Sequence, residues 1–121
     1  MPDDRSLDVD TCCGLLSSWR RRYLLTQLRD RDRVTIDRLA RRIAALEQDT
    51  TRDAVSEDAR DSVVVSLVHN HLPRLADHGV VEYDPRNGDI VPDTAFEELE
   101  RYLERLEDEA ERDLTPKSSC S

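Results

Sequence analysis

This chain is short of aromatics, lysine, glycine and cysteine, and it has no long apolar run. Only 4% of its 121 residues are aromatic, with a single Trp19 and a single Phe96, so Leu, Val and Ile must supply the core. Apolar residues nowhere approach the roughly 18 in succession that a membrane-crossing helix requires. The N-terminus has no basic stretch running into an apolar one, so no secretory signal is visible and a cytoplasmic location is expected. Three cysteines, two of them adjacent (Cys12 and Cys13), do not make a disulfide framework. Cys120 reads as a free thiol in a polar tail. There is no phosphate-binding glycine loop, no Ser-His-Asp pattern and no pair of acids in an apolar setting. An enzyme is therefore not expected, and no residue pattern asks for a cofactor.

Charge is abundant instead. Charged residues make up 37% of the chain, as do hydrophobic ones, and the formal net charge is −9. Lys117 is the only lysine; every other base is arginine. Such an acidic chain either avoids nucleic acid in favour of basic partners or is built to stay hydrated in concentrated salt. The scarcity of lysine, whose long stem exposes methylenes, favours the second reading. On that reading net charge is no evidence against DNA binding.

The length suits one domain with a modest core. Residues 1–10 are acidic, polar and without periodicity, and are expected to be disordered. A first helix, capped by Thr11, is predicted from Thr11 to Asp30, with Leu16, Trp19, Tyr23, Leu24 and Leu28 inward and Arg20, Arg21 and Arg22 across its outer side. After the Arg31-Asp32-Arg33 turn, Val34-Thr35 leaves room for a very short strand. Thr35 then caps a second helix, with Asp37 in its first turn. Ile36, Leu39, Ala40, Ile43 and Ala44 form one face of that helix, and Arg38, Arg41 and Arg42 the other.

A polar connector from Glu47 to Glu57 precedes a third helix capped by Ser56. Val64, Leu67, Val68, His71, Leu72 and Leu75 are predicted to face inward. Pro73 forfeits an amide bond and crowds the carbonyl of His69, so a kink is expected between His69 and Leu72, or two short helices meeting there. Gly79 fits the position just past the helix end. Val80–Asp84 and Asp89–Val91 then pair as a hairpin around Pro85-Arg86-Asn87-Gly88. A last helix, residues 93–114, carries Phe96, Leu99, Leu103, Leu106 and Ala110 as a short heptad seam. That seam either packs on the first helix or pairs with its twin in a homodimer. Residues 115–121 read as a flexible tail.

Three helices and a hairpin over residues 11–92 make a mainly α winged helix-turn-helix, an architecture that sets its third helix in a DNA groove. Ser62, Ser66, His69, Asn70 and Arg74 fall on one polar face of that helix, opposite the leucines. Asn and Arg suit the edges of adenine and guanine, and Ser and His contact phosphate or base. Arg86, on the wing, is placed for the flanking backbone or minor groove. An ordinary solvated face would carry the same residue types. The arginines of the first three helices oppose a last helix rich in glutamate, yet interleaved arginines and aspartates also form surface ion pairs of little worth. Five phosphate contacts would cost roughly six decades of affinity between about 0.15 M and about 3 M salt, so base-edge bonds, shape and a second half-site must contribute.

His69-Asn70-His71 does not make a metal site. Residues two apart on a helix point about 200° apart, and no spaced Cys or carboxylate set completes one. Cys12-Cys13 is a candidate redox or metalloid sensor only if both thiols are exposed with lowered pKa.

The segments from Leu16 to Leu25, Val34 to Ile43 and Val65 to Asp84 resemble an uncharacterised winged-helix-type domain family common in halophilic archaea. The resemblance covers roughly Leu15 to Val91 and is most specific at His71-Leu72-Pro73-Arg74-Leu75 running into Gly79-Val80-Val81-Glu82-Tyr83-Asp84. More distantly the chain is similar to metal-responsive dimeric winged-helix repressors, whose thiolate metal box it lacks. The resemblance implies the winged-helix fold and a transcriptional role. Taken with the polar face of the third helix, the expected function is a sequence-specific transcriptional regulator acting on double-stranded DNA as a homodimer. The alternative is a protein-interaction module that keeps the fold without binding DNA.

Overall fold

A computed structural model describes the backbone of residues 7–120 and the side chains as far as Glu109. The first helical segment is two helices. α1 (Val9–Leu15) starts at Asp8, whose carboxylate accepts from the Thr11 amide at 2.7 Å, and α2 (Trp19–Arg31) follows after Leu16, Ser17 and Ser18. Residues 7–10, expected to be disordered, thus hold the cap and first turn of α1, with Leu7 buried.

The break at Leu16–Ser18 also corrects the placement of Arg21. This side chain is buried rather than on the outer side. Its Nε donates to the Leu15 carbonyl at 2.7 Å and its Nη2 to the Gly14 carbonyl at 3.0 Å, while Arg22 donates to the Leu16 carbonyl at 2.6 Å. The last carbonyls of a helix have no partner within it. Two guanidiniums from α2 therefore cap α1 from outside. Arg20 does point outward, gripping Glu47 with two bonds of 2.7 and 2.6 Å.

β1 (Val34–Thr35) leads directly into α3 (Ile36–Glu47), where the Thr35 hydroxyl accepts from the Arg38 amide. Asp49 takes a left-handed conformation (φ 54°) and ends α3, with the Thr50 amide returning to Ala45 at 2.9 Å and that of Asp49 to Leu46 at 3.3 Å. The connector includes one short turn, Arg52–Ala54, and buries Val55. Ser56 caps α4 (Glu57–Ser66), as its sequence position implied.

From Ser66 the rod continues without interruption through a π-helical turn, Leu67–His71, into α5 (Leu72–Asp77). Where a kink is expected, between His69 and Leu72, the structure has this π turn instead. Leu72 donates to Leu67, five residues back, and Pro73 falls in the first turn of α5, where it abandons no α-helical bond. Gly79 (φ 72°) closes α5, with Val80 returning to Leu75 at 3.0 Å. β2 (Val81–Asp84) and β3 (Asp89–Pro92) form the hairpin, and β1 pairs with β3 to give the antiparallel order β1-β3-β2. α6 (Phe96–Cys120) runs over residues set aside as a tail.

Leu24, Leu25, Leu28, Leu39, Ile43, Leu67, Leu72, Leu75, Ile90 and Leu99 are fully buried and form one core. At about 25 cal/mol per Å² of apolar surface, these aliphatic side chains supply most of the stabilisation in a chain with so few aromatics. The result is a mainly helical winged helix-turn-helix. Among the described residues no helix is long and apolar enough to cross a membrane.

Candidate nucleic-acid interface

The rod formed by α4, the π turn and α5 packs its inner side on the core through Val63, Leu67, His71, Leu72 and Leu75. Val64 and Val68, expected inward, are only half-buried, and Val63 takes the buried place. The inner series 63, 67, 71, 75 steps by four. Four residues turn an α-helix through about 400°, so such a row drifts by roughly 40° per step. Three steps carry it about 120° off line, and one π turn, which absorbs an extra residue, removes roughly 100° of that. The π turn is what keeps a four-spaced row against the core.

The outer side obeys the same arithmetic. Ser62, Ser66, Asn70 and Arg74 also step by four, so the same turn lines them up along the rod. Ser62, His69, Asn70 and Arg74 are exposed and Ser66 is half-buried. Asn70 Oδ1 accepts from Arg74 Nε at 2.8 Å, which fixes the two side chains relative to each other. The Asn70 amide nitrogen and the two terminal nitrogens of Arg74 remain as donors.

Charge along the rod is uneven. At its N-terminal end Glu57, Asp58 and Asp61 are exposed, and Arg60 is drawn away to Asp37 (2.6 Å) and Asp61 (2.7 Å). Arg60 donating to Asp37, with Arg41 in support, holds the Asp37 carboxyl below its ordinary range and ties α3 to α4. The C-terminal half carries Arg74 and the imidazoles. His69 is exposed and His71 buried, so the two do not converge on a common ion.

Arg86 is not brought against Asn70 and Arg74 by any hydrogen bond or ion pair. It stands almost fully exposed at the hairpin turn, 3.6 Å from Asp84. That turn docks on the start of α3, where the Gly88 carbonyl accepts from the Ile36 amide at 2.8 Å. Gly88 (φ 78°) suits this site because a Cβ would lie 3.1 Å from Ile36 Cγ2.

The seam proposed for pairing with a twin lies largely inside the single chain. Phe96, Leu99 and Leu103 are buried in the core, and Leu106 is 43% exposed. Ala110 lies outside the described side chains. The sensor condition is not met at Cys12 either. Its thiol is fully buried and pushed up to about 11, first by burial and then by Glu98, Asp8 and Cys13. Sequence reasoning did not bring Arg31 and Arg33 of the turn together with Arg38 and Arg42 of α3, which line a common groove with Gln27. The only available signal was arginine at both ends of one short connection.

No curated protein and no solved structure matches the chain. Residues 13–91, which run from α1 through the hairpin, match the model of the family described as a domain of unknown function, DUF7344. The chain belongs to that family.

Proposed function

We propose that the protein is a cytoplasmic, sequence-specific DNA-binding transcriptional regulator of winged-helix type, working in concentrated salt. The observation that carries this reading is the row Ser62, Ser66, Asn70 and Arg74, exposed except for the half-buried Ser66 and aligned by the π turn on the rod that this fold offers to a major groove. Asn70 and Arg74 are the base-reading pair, Ser66 and His69 contact backbone or base, and Arg86 touches the flanking phosphates. With carboxylates at the N-terminal end of the rod, contact is concentrated on its C-terminal half. Few phosphates are then neutralised, which suits a binder that must keep its affinity in molar salt.

Selection from a randomised duplex pool at molar KCl tests this. A recurring site is expected, with affinity falling about 5- to 150-fold when Asn70 or Arg74 becomes Ala, the range of one lost bidentate contact. A pool that shows no preference at any salt concentration overturns it. The second reading, a protein-interaction module, is favoured by Glu57, Asp58 and Asp61 at the end of the rod that usually meets the bases. It gains if Asp58 and Asp61 variants lose a protein partner while duplex binding is absent throughout.

A further inference from the structure

In a chain of net charge −9, a concavity is lined by four arginines without a single carboxylate. It is a groove of about 370 Å³ between the end of α2, β1 and the first half of α3, lined by Gln27, Arg31, Arg33, Val34, Thr35, Arg38, Leu39 and Arg42. Val34 and Leu39 are buried residues that give it an apolar floor. Arg42 donates to Gln27 Oε1 at 3.2 Å, and Arg33 meets Asp89 at 3.3 Å while two-thirds exposed. Arg31 and Arg38 meet no carboxylate among the described residues. Apart from Asp89, the nearby acids are engaged elsewhere: Asp37 pairs with Arg41 and Arg60, and Asp32 lines a separate depression with Asp93, Glu97 and Glu100.

The placement is unfavourable for an empty groove. Arg38 sits in the first turn of α3, at the positive end of its dipole, and Arg33 stands just before that end. Arg31, by contrast, is well placed in the last turn of α2. Cations gathered at a helix N-terminus repel it, and an anion between them relieves both. Guanidinium forks match phosphate and carboxylate in two-point geometry, and the volume lies within the range of small-molecule sites.

We propose that this groove binds a small organic dianion, a phosphate monoester or dicarboxylate with a compact apolar body. The charged group is held by Arg31, Arg38 and Arg42, and the body rests on Val34 and Leu39. This does not rest on DNA binding, and its test contains a step without DNA.

Phenyl phosphate is titrated into the full chain and followed by amide NMR, at about 0.2 M and about 2 M KCl. Inorganic phosphate (the charge without the body) and benzyl alcohol (the body without the charge) are run beside it. Expected are saturable shifts at Val34, Thr35 and Leu39 and at least tenfold weaker binding of both fragments. Arg38→Gln and Arg42→Gln, each checked for an unchanged melting curve, are expected to weaken phenyl phosphate tenfold, while Arg74→Ala leaves it unchanged. Equal binding of phenyl and inorganic phosphate would mean general anion attraction and overturns the proposal. So does a short duplex that displaces phenyl phosphate from the groove, which would assign these arginines to the DNA backbone.

Discussion

Arg21 Nη1 donates to His71 Nδ1 at 2.9 Å, a buried contact between residues 50 positions apart in sequence. A guanidinium has only donors, so Nδ1 must accept and the imidazole must be neutral, with its proton on Nε2. No carboxylate contacts Arg21 among the described residues. Carbonyls at the end of α1, the Ser17 hydroxyl and this imidazole solvate the cation in place of water. Burial, with Arg74 nearby, lowers the guanidinium from its ordinary value. The contact joins α1, α2 and the π turn, so one hydrogen bond locks the rod to the helix pair beneath it.

Stability should therefore depend on pH through His71. Burial first, then Arg21, Arg20 and Arg74, pushes its pKa from 6.5 to about 4. Between those values the unfolded chain binds a proton that the folded chain refuses, so stability falls as pH drops from about 6.5 toward 4 and is fully present above that window. The loss is at most about 3 kcal/mol, from the size of the shift. His71→Gln keeps an acceptor for Arg21 and cannot titrate. Urea midpoints for both proteins at pH 7.5 and pH 5 should show a smaller drop for the variant. Parallel drops would assign the acid sensitivity to other groups.

Removing Arg21 should cost more than its exposed neighbours suggest. Arg21→Met fills a similar volume but leaves the Leu15 carbonyl and His71 Nδ1 without their donor. Buried unsatisfied groups cost about 1–3 kcal/mol each, so a loss of about 2–6 kcal/mol is expected. Arg21→Lys keeps the charge yet cannot reach acceptors spread over a fork, and should recover less than half of that loss. Hydrogen exchange should localise the weakening to α1 (Val9–Leu15). A variant as stable as the parent would show the capping to be idle.

The sequence made the local signals legible. Thr35, Ser56 and Gly79 occupy the capping positions their residue types implied, and Asn87-Gly88 marks the hairpin turn, whereas Thr11 lies inside α1 and Asp8 takes the cap. These depend on neighbours within a few residues. The split of the first helix was hidden, because Leu15-Leu16 and the stripe beyond it fit one continuous helix. Arg21 was placed outside for the same kind of reason. Periodicity reports which face is apolar and says nothing of a cation buried to cap another helix. In the seam, Phe96, Leu99 and Leu103 carry a heptad pattern that core packing and dimerisation share, and only the fold separates the two. Asn70 and Arg74 were singled out by residue type; that they are bonded to each other follows from the rod's geometry.

The two adjacent thiols should behave as strangers. Cys12 is buried with its pKa raised to about 11, whereas Cys13 is exposed. The thiolate is the reactive form, so Cys12 is both shielded and protonated at pH 8. In a Cys120→Ser background, iodoacetamide at pH 8 should modify one thiol in the folded protein and both in urea, with peptide mapping placing the first at Cys13. Rapid modification of both under native conditions would restore a vicinal dithiol reading.

The π turn and Pro73 should prove to be coupled. The buried row 63, 67, 71, 75 demands an extra residue in the ladder whether or not proline is present, so Pro73→Ala alone should leave the turn and shift stability by about 1 kcal/mol or less. Deleting the exposed His69 shortens the spacing from four to three at one step, which brings Leu67, His71, Leu72 and Leu75 into register on an ordinary α-helix. Proline then stands in a helix interior, crowding the carbonyl four residues back, at a cost of about 3 kcal/mol. Combining the deletion with Pro73→Ala should return most of that loss, a non-additivity that melting curves for the four proteins would measure. If the deletion is equally damaging with alanine at position 73, the turn is held by something other than the phase of its buried residues.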